Sequence, residues 1–151
     1  MAHHFGVEFP EITISPNDER QNQGEVLLKR KARTLQEALL MHLGIRQPKH
    51  LRESLVMMTA GIAAVMLIRK RITLSHHKEA WGDMNAAHEV AKKLGYRDIE
   101  DRLRLVVEAR EEAKSILQSN RVALDALAQT LMKKTTVSGD EARRIIEVCE
   151  K

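Results

Sequence analysis

Aromatic residues are scarce in this chain: two phenylalanines, one tryptophan and one tyrosine among 151 residues. Proteins that grip single-stranded nucleic acid stack bases on aromatic side chains. That class is therefore disfavoured, and the core must be aliphatic and rich in methionine. Cysteine is limited to Cys149, which excludes an internal disulfide and suits a reducing cytosol. Met1 is followed by His3, His4 and Phe5, with neither a basic leader nor a long apolar segment. The expected location is cytoplasmic. No GxSxG, CxxC or Gly-rich phosphate loop occurs, and neither does an internal repeat. The net charge of +4 permits an acidic partner without demanding one.

One apolar run stands out. Leu55 to Ile68 reads LVMMTAGIAAVMLI, fourteen residues without a charge. As a helix it would reach about 21 Å, whereas a membrane span needs about 20 residues for a core of ~30 Å. Arg52 and Glu53 bound it on one side, and Arg69, Lys70 and Arg71 on the other. The reading is a helix from Lys49 to Arg71, buried on all sides, with no transmembrane segment. Gly61 costs about 1 kcal/mol in a helix interior. Its company of Ala60, Ala63 and Ala64 suits close approach by another backbone.

Around this run the chain reads as mainly α, a single domain over residues 1–151 with a small N-terminal β-hairpin. Ile12, Thr13 and Ile14 are strand-like, and Pro16 to Gly24 carries turn formers. Glu25 to Leu28 supplies the return strand. The basic run Lys29 to Arg33 comes next and is read as a solvated edge. Thr34 and Glu37 have capping-box spacing, predicting a helix from Leu35 to Leu43. Another helix, starting at His77 or Asp83, should close at Leu94 with Gly95 as its stop. From Asp98 a long helix places Ile99, Leu103, Val106, Val107, Arg110, Ala113 and Leu117 on one face. A break is expected between Gln118 and Asn120, then a stripe of Leu124, Leu127, Ala128 and Leu131. Thr135 to Val137 should be extended. Ser138 and Glu141 repeat the capping-box spacing before a last helix.

Seven histidines raise the question of a metal. His76 and His77 are adjacent and would point about 100° apart on a helix. His88-Glu89 opens like HExxH, in which two histidines share a helix face. Lys92 stands where the second histidine belongs, so the motif is excluded here. His3, His4, His42 and His50 have no matching partner. Asp83, in WGDMNAA, is the carboxylate of interest. On spacing alone it reads as a first-turn residue interacting with the helix dipole.

Four stretches together resemble a known family, the FtsH-type zinc metalloproteases, in which a peptidase domain follows an AAA ATPase. Glu108 to Glu147 (EAREEAKSILQSNRVALDALAQTLMKKTTVSGDEARRIIE) is similar to that family's closing helices. Trp81 to Leu94 (WGDMNAAHEVAKKL) resembles its ASNDLEQATRLARRM segment. AGIAAVML resembles GGRAAEEL, with Val65 and Met66 in place of the glutamates. ITISP, followed by a glycine and a second strand, resembles VTIIPRG..LGYT. The order is the family's order, and the matches cover most of the chain. The resemblance implies a helical metallopeptidase-like domain with Asp83 as third zinc ligand. It also implies a substrate-pairing strand at Ile12, Thr13 and Ile14, or at its hairpin partner. The HExxH helix would fall before Met1, and the ATPase module is absent.

The resemblance therefore implies a peptidase-type domain that is catalytically incomplete as this chain. Zinc belongs to an intact relative, and none is expected on residues 1–151. The alternative is a non-catalytic helical interaction module of the same fold. Either reading has a protein or peptide as partner and allows a homo-oligomer. Nucleic acid, through Lys29 to Arg33 and Arg69 to Arg71, is the weakest option.

Overall fold

The computed structural model describes residues 3–5, 8–14, 25–26, 48–69 and 80–149. The predicted helix over Leu35 to Leu43 and the basic run Lys29 to Arg33 lie outside them. The described chain is mainly helical with a small antiparallel sheet, as the periodicities indicate. Its contacts fall into two compact units: Ala32–Ser119 together with Met1, and Ala2–Lys31 together with Asn120–Lys151.

The first unit contains α1 (Pro48–Ile68), α2 (Trp81–Lys93) and α3 (Ile99–Ser119). Proline at the first position of α1 loses no intrahelical bond, because that N–H has no partner in any helix. On α1, Leu51, Leu55, Val56, Thr59, Ile62 and Ala63 are buried. Their spacing of three and four residues defines one face, which packs on α2 and α3. Thr59 is fully buried and donates its hydroxyl to the Val56 carbonyl at 3.0 Å, so its polarity is satisfied within the helix. Burial on all sides does not hold. Gly61, on the other face, is exposed, and so is Ile68 at the end. Two helices line only part of a third helix's circumference. The helix stops at Ile68 rather than Arg71, with the Arg69 N–H donating to Val65 at 2.8 Å. By length and composition Lys49–Ile68 could cross a membrane, although a third of it (33 %) is buried in the fold.

Helix α2 buries Ala87, Val90 and Ala91. It ends as the glycine signal requires. Gly95 has φ 99°, and its N–H donates to Lys92 while that of Tyr96 reaches Ala91. This paired closure needs a left-handed residue, which glycine adopts without a Cβ clash. Helix α3 is capped by Asp98, whose carboxylate accepts the Glu100 N–H at 2.7 Å. Its buried residues are Leu105, Val106, Ala109, Ala113 and Leu117. The expected face is therefore rotated by about 60°. Ile99, Leu103 and Val107 turn outward. The stripe expected from sequence traces the largest apolar residues, whereas close helix packing selects alanines 109 and 113. Arg52 and Glu112 join α1 to α3 at 3.0 Å. Both are surface groups, so the pair contributes at most about 1 kcal/mol.

The second unit joins distant parts of the chain. Strand β1 (Glu11–Thr13) lies between β2 (Glu25–Val26) and β3 (Thr136–Ser138), both antiparallel to it. The hairpin thus forms as expected, and the extended segment after Thr135 supplies a third strand. Helices α4 (Arg121–Lys134) and α5 (Gly139–Cys149) flank β3. The break before α4 falls at Asn120. Phe9, Val137 and Ala142 form the core, with Ile12, Leu127 and Leu131 packed against it. Ala128, expected on this stripe, is exposed. Thr135 bridges α4 and β3 at φ 62°, a strained setting for a β-branched residue. It is held on both sides: its N–H donates to Leu131 at 2.7 Å, and its carbonyl accepts the Ile14 N–H at 2.9 Å. Ser138 caps α5 by accepting the Glu141 N–H at 3.3 Å. Beyond the strand, the Gly139 N–H donates to the Pro10 carbonyl at 2.6 Å, one step further along the same ladder.

At that step a Cβ on residue 139 would lie 1.8 Å from the Phe9 carbonyl oxygen. Gly139→Ala should therefore destabilise the second unit by at least about 2 kcal/mol, since backbone must move. Urea unfolding checks this; an unchanged midpoint would show that the contact is not tight.

Candidate functional site

Asp83 sits in the first turn of α2, where a carboxylate is favoured by the helix dipole. Its side chain reaches toward α1. Its Oδ2 lies 3.9 Å from where a Cβ on Gly61 would stand. That is ordinary van der Waals distance, so Gly61 is not demanded by crowding. Among the four small residues singled out on α1, Ala63 is the one fully buried. Asp83 is exposed as a residue, yet the neighbouring helix shields its carboxylate in part, and this desolvation raises its pKa above the usual value. Proximity to α1 thus makes Asp83 easier to protonate.

Two other groups of candidates are settled by position. His88 and Glu89 lie on α2, and Lys92 stands one turn later on the same helix, as the spacing required. His76, His77 and His42 lie outside the described residues. Among the described residues, no three of His, Cys, Asp and Glu come together in a way that could hold a metal ion. His4 makes an edge contact with Phe5, their rings 5.0 Å apart. Cys149 is a free thiol in the last turn of α5, partly buried.

The residues read as a substrate strand belong to the second unit, and Asp83 belongs to the first. Ile12 pairs with Val26 on one side and Val137 on the other, and Thr13 pairs with Glu25 and Thr136. Thr13 and Thr136 also join hydroxyl to hydroxyl at 2.9 Å. Ile12 packs on the Phe9 core, while Ile14 is 40 % exposed and bonded to Thr135. An inner strand has no free edge to offer an extended peptide. Of the two strands considered, β2 is the one at the margin of the sheet. Sequence reasoning missed Phe9 and Gly139. The signal for Gly139 was a glycine at the first position of a capped helix, where glycine has no intrinsic advantage.

Electrostatics in the second unit are structural. Arg143 lowers the Asp140 pKa through a hydrogen bond, and its guanidinium also stands 5.8 Å from the Phe9 ring centroid. Lys134 and Glu141 pair across the ends of α4 and α5 at 2.5 Å.

No protein-family model matches the chain, and no curated protein sequence matches it significantly.

The raised pKa of Asp83 makes a signed prediction. The folded chain holds that proton more tightly than the unfolded chain, so stability falls as pH rises through the raised pKa. Asp83→Asn should be more stable than the parent at neutral pH. The gap should close as pH drops below the ordinary carboxylate range. Thermal unfolding of both proteins across pH reads this out; a gap that widens in acid would contradict it.

Proposed function

We propose that the chain is a peptidase-type helical domain resembling the FtsH-type zinc metalloproteases, catalytically incomplete in residues 1–151. The observation that carries this reading is Asp83. It stands on a helix packed against the long apolar helix, with its carboxylate partly desolvated beside Gly61. This is the segment that resembles the family's third zinc ligand. The order hairpin, apolar helix, Asp83 helix and closing helices adds support.

A catalytic zinc takes three protein ligands and leaves one position open for water. The metal then lowers the pKa of that water, and a general base removes the proton. In this chain the base and two ligands have no counterpart, since Lys92 breaks the one HExxH-like start. A single carboxylate does not retain zinc. The domain's work is then to bind a protein or peptide, in the cytoplasm, as monomer or homo-oligomer. A non-catalytic interaction module of the same fold is the second reading. It is favoured by the exposed ridge of Ile99, Leu103 and Val107 on α3.

Residues 1–151 should bind less than stoichiometric zinc and should not hydrolyse casein. Metal analysis after dialysis against zinc, with a fluorescent casein assay, tests both. Tight zinc binding that is lost in Asp83→Ala would overturn the incomplete-site reading and favour an active peptidase.

A further inference from the structure

Three of the exposed large apolar side chains of the first unit stand on α3. Ile99 is 61 % exposed, Leu103 48 % and Val107 45 %. A four-residue step turns a helix by about 40°, so the three form one slanting ridge. Glu100 and Arg110 fall within the same arc of roughly 100°. Glu100 is exposed. Arg110 pairs with its neighbour Glu111 at 3.2 Å, over a one-residue step that does not align two side chains on a helix. The buried residues Leu105, Val106, Ala109 and Ala113 occupy the adjoining arc. The ridge therefore stays open while α3 packs on α1 and α2.

Reversed in direction, this stripe is complementary to itself. Glu100, Leu103, Val107 and Arg110 read acid, apolar, apolar, base. Their steps of three, four and three residues are those of a coiled-coil seam. An antiparallel copy related by a two-fold axis level with Leu105 would set Leu103 of each chain against Val107 of the other. The same axis would set Glu100 against Arg110 twice, with Ile99 along the aliphatic stem of that arginine. A parallel copy would instead set Glu100 on Glu100 and Arg110 on Arg110, which charge repulsion disfavours. Arg104 meets its own copy near the axis, where Asp101 neutralises it at 3.2 Å. We infer that α3 pairs antiparallel with α3 of a second copy of this chain. The inference rests on the interaction-module reading and names its partner. One helix pair covers less than a standard interface, so the dimer is weak, with Kd on the order of 0.1 mM.

Sedimentation equilibrium of the whole chain, from about 10 µM to about 1 mM, brackets that affinity. The parent should pass from monomer towards dimer mass over this range. Leu103→Glu should weaken association by more than about tenfold, since it sets a charge into both apolar layers. Glu100→Arg and Arg110→Glu should each weaken it by about tenfold, because each puts like charges into both end layers. An equimolar mixture of these two variants should associate as tightly as the parent, their charges being opposite in both layers. Circular dichroism checks the fold of each variant, and Leu103 and Glu100 are exposed positions that tolerate change. Monomer mass at the highest concentration overturns the inference. So does association that Leu103→Glu leaves unchanged, which would place the contact elsewhere. Association unchanged by Glu100→Arg would rule out the antiparallel register. The zinc and casein measurements decide between the two functional readings whether or not the chain pairs.

Discussion

The second unit depends on an atom that is missing. Residue 139 has no Cβ, and the place it would take is 1.8 Å from the Phe9 carbonyl oxygen. Because that space is free, α5 starts directly against the segment that leads into β1. Phe9 is then covered by Val137 and Ala142, and the Gly139 N–H extends the β1–β3 ladder to Pro10. The other features of the unit build on this closure. The strained Thr135 is held because its carbonyl meets Ile14. The hydroxyls of Thr13 and Thr136 meet across 123 positions of sequence. Such distant pairing carries a loop-closure cost, which buried contacts at Phe9 and hydrogen bonds along three strands must offset.

The first unit is held by different means. Its helices pack through small and aliphatic side chains, and α1 has one buried face with the rest half covered or open. Apolar burial at about 25 cal/mol per Å² supplies the driving force. Ion pairs such as Arg52–Glu112 add little. α1 is apolar enough in length and composition for a membrane and yet part of a helical assembly. The packing also places a carboxylate, Asp83, at the exposed margin of the contact between α2 and α1.

Much of the fold is legible in the residues, for identifiable reasons. Helix ends marked by Gly95, Asp98 and Ser138 are readable because each is a local signal: a left-handed stop or an oxygen aimed at an N–H two or three residues on. The hairpin is readable because β-branched residues flank a run of turn formers. The orientation of α3 is misjudged when residue size is taken as a guide to the buried face. The buried face of α3 includes the small residues Ala109 and Ala113, and a partner's proximity cannot be read from one helix. The inner position of β1 is hidden for a related reason. It depends on β3, which lies more than a hundred residues away and carries no sign of its destination. At the candidate site, Asp83 is legible as a first-turn carboxylate, but its approach to Gly61 is not.

Ile12 and Thr13 are paired on both sides, and Ile14 is bonded to Thr135 just beyond the strand; to take a peptide, this strand would first have to give up that pairing. Native-state hydrogen exchange of the Ile14, Thr135 and Gly139 amides tests this most directly. All three donate within the same closure, to Thr135, Leu131 and Pro10. They should exchange with one common opening free energy, equal to that for unfolding the second unit. Fast exchange at Ile14 with Gly139 still protected would contradict this, because β1 would then open on its own and its edge would be available.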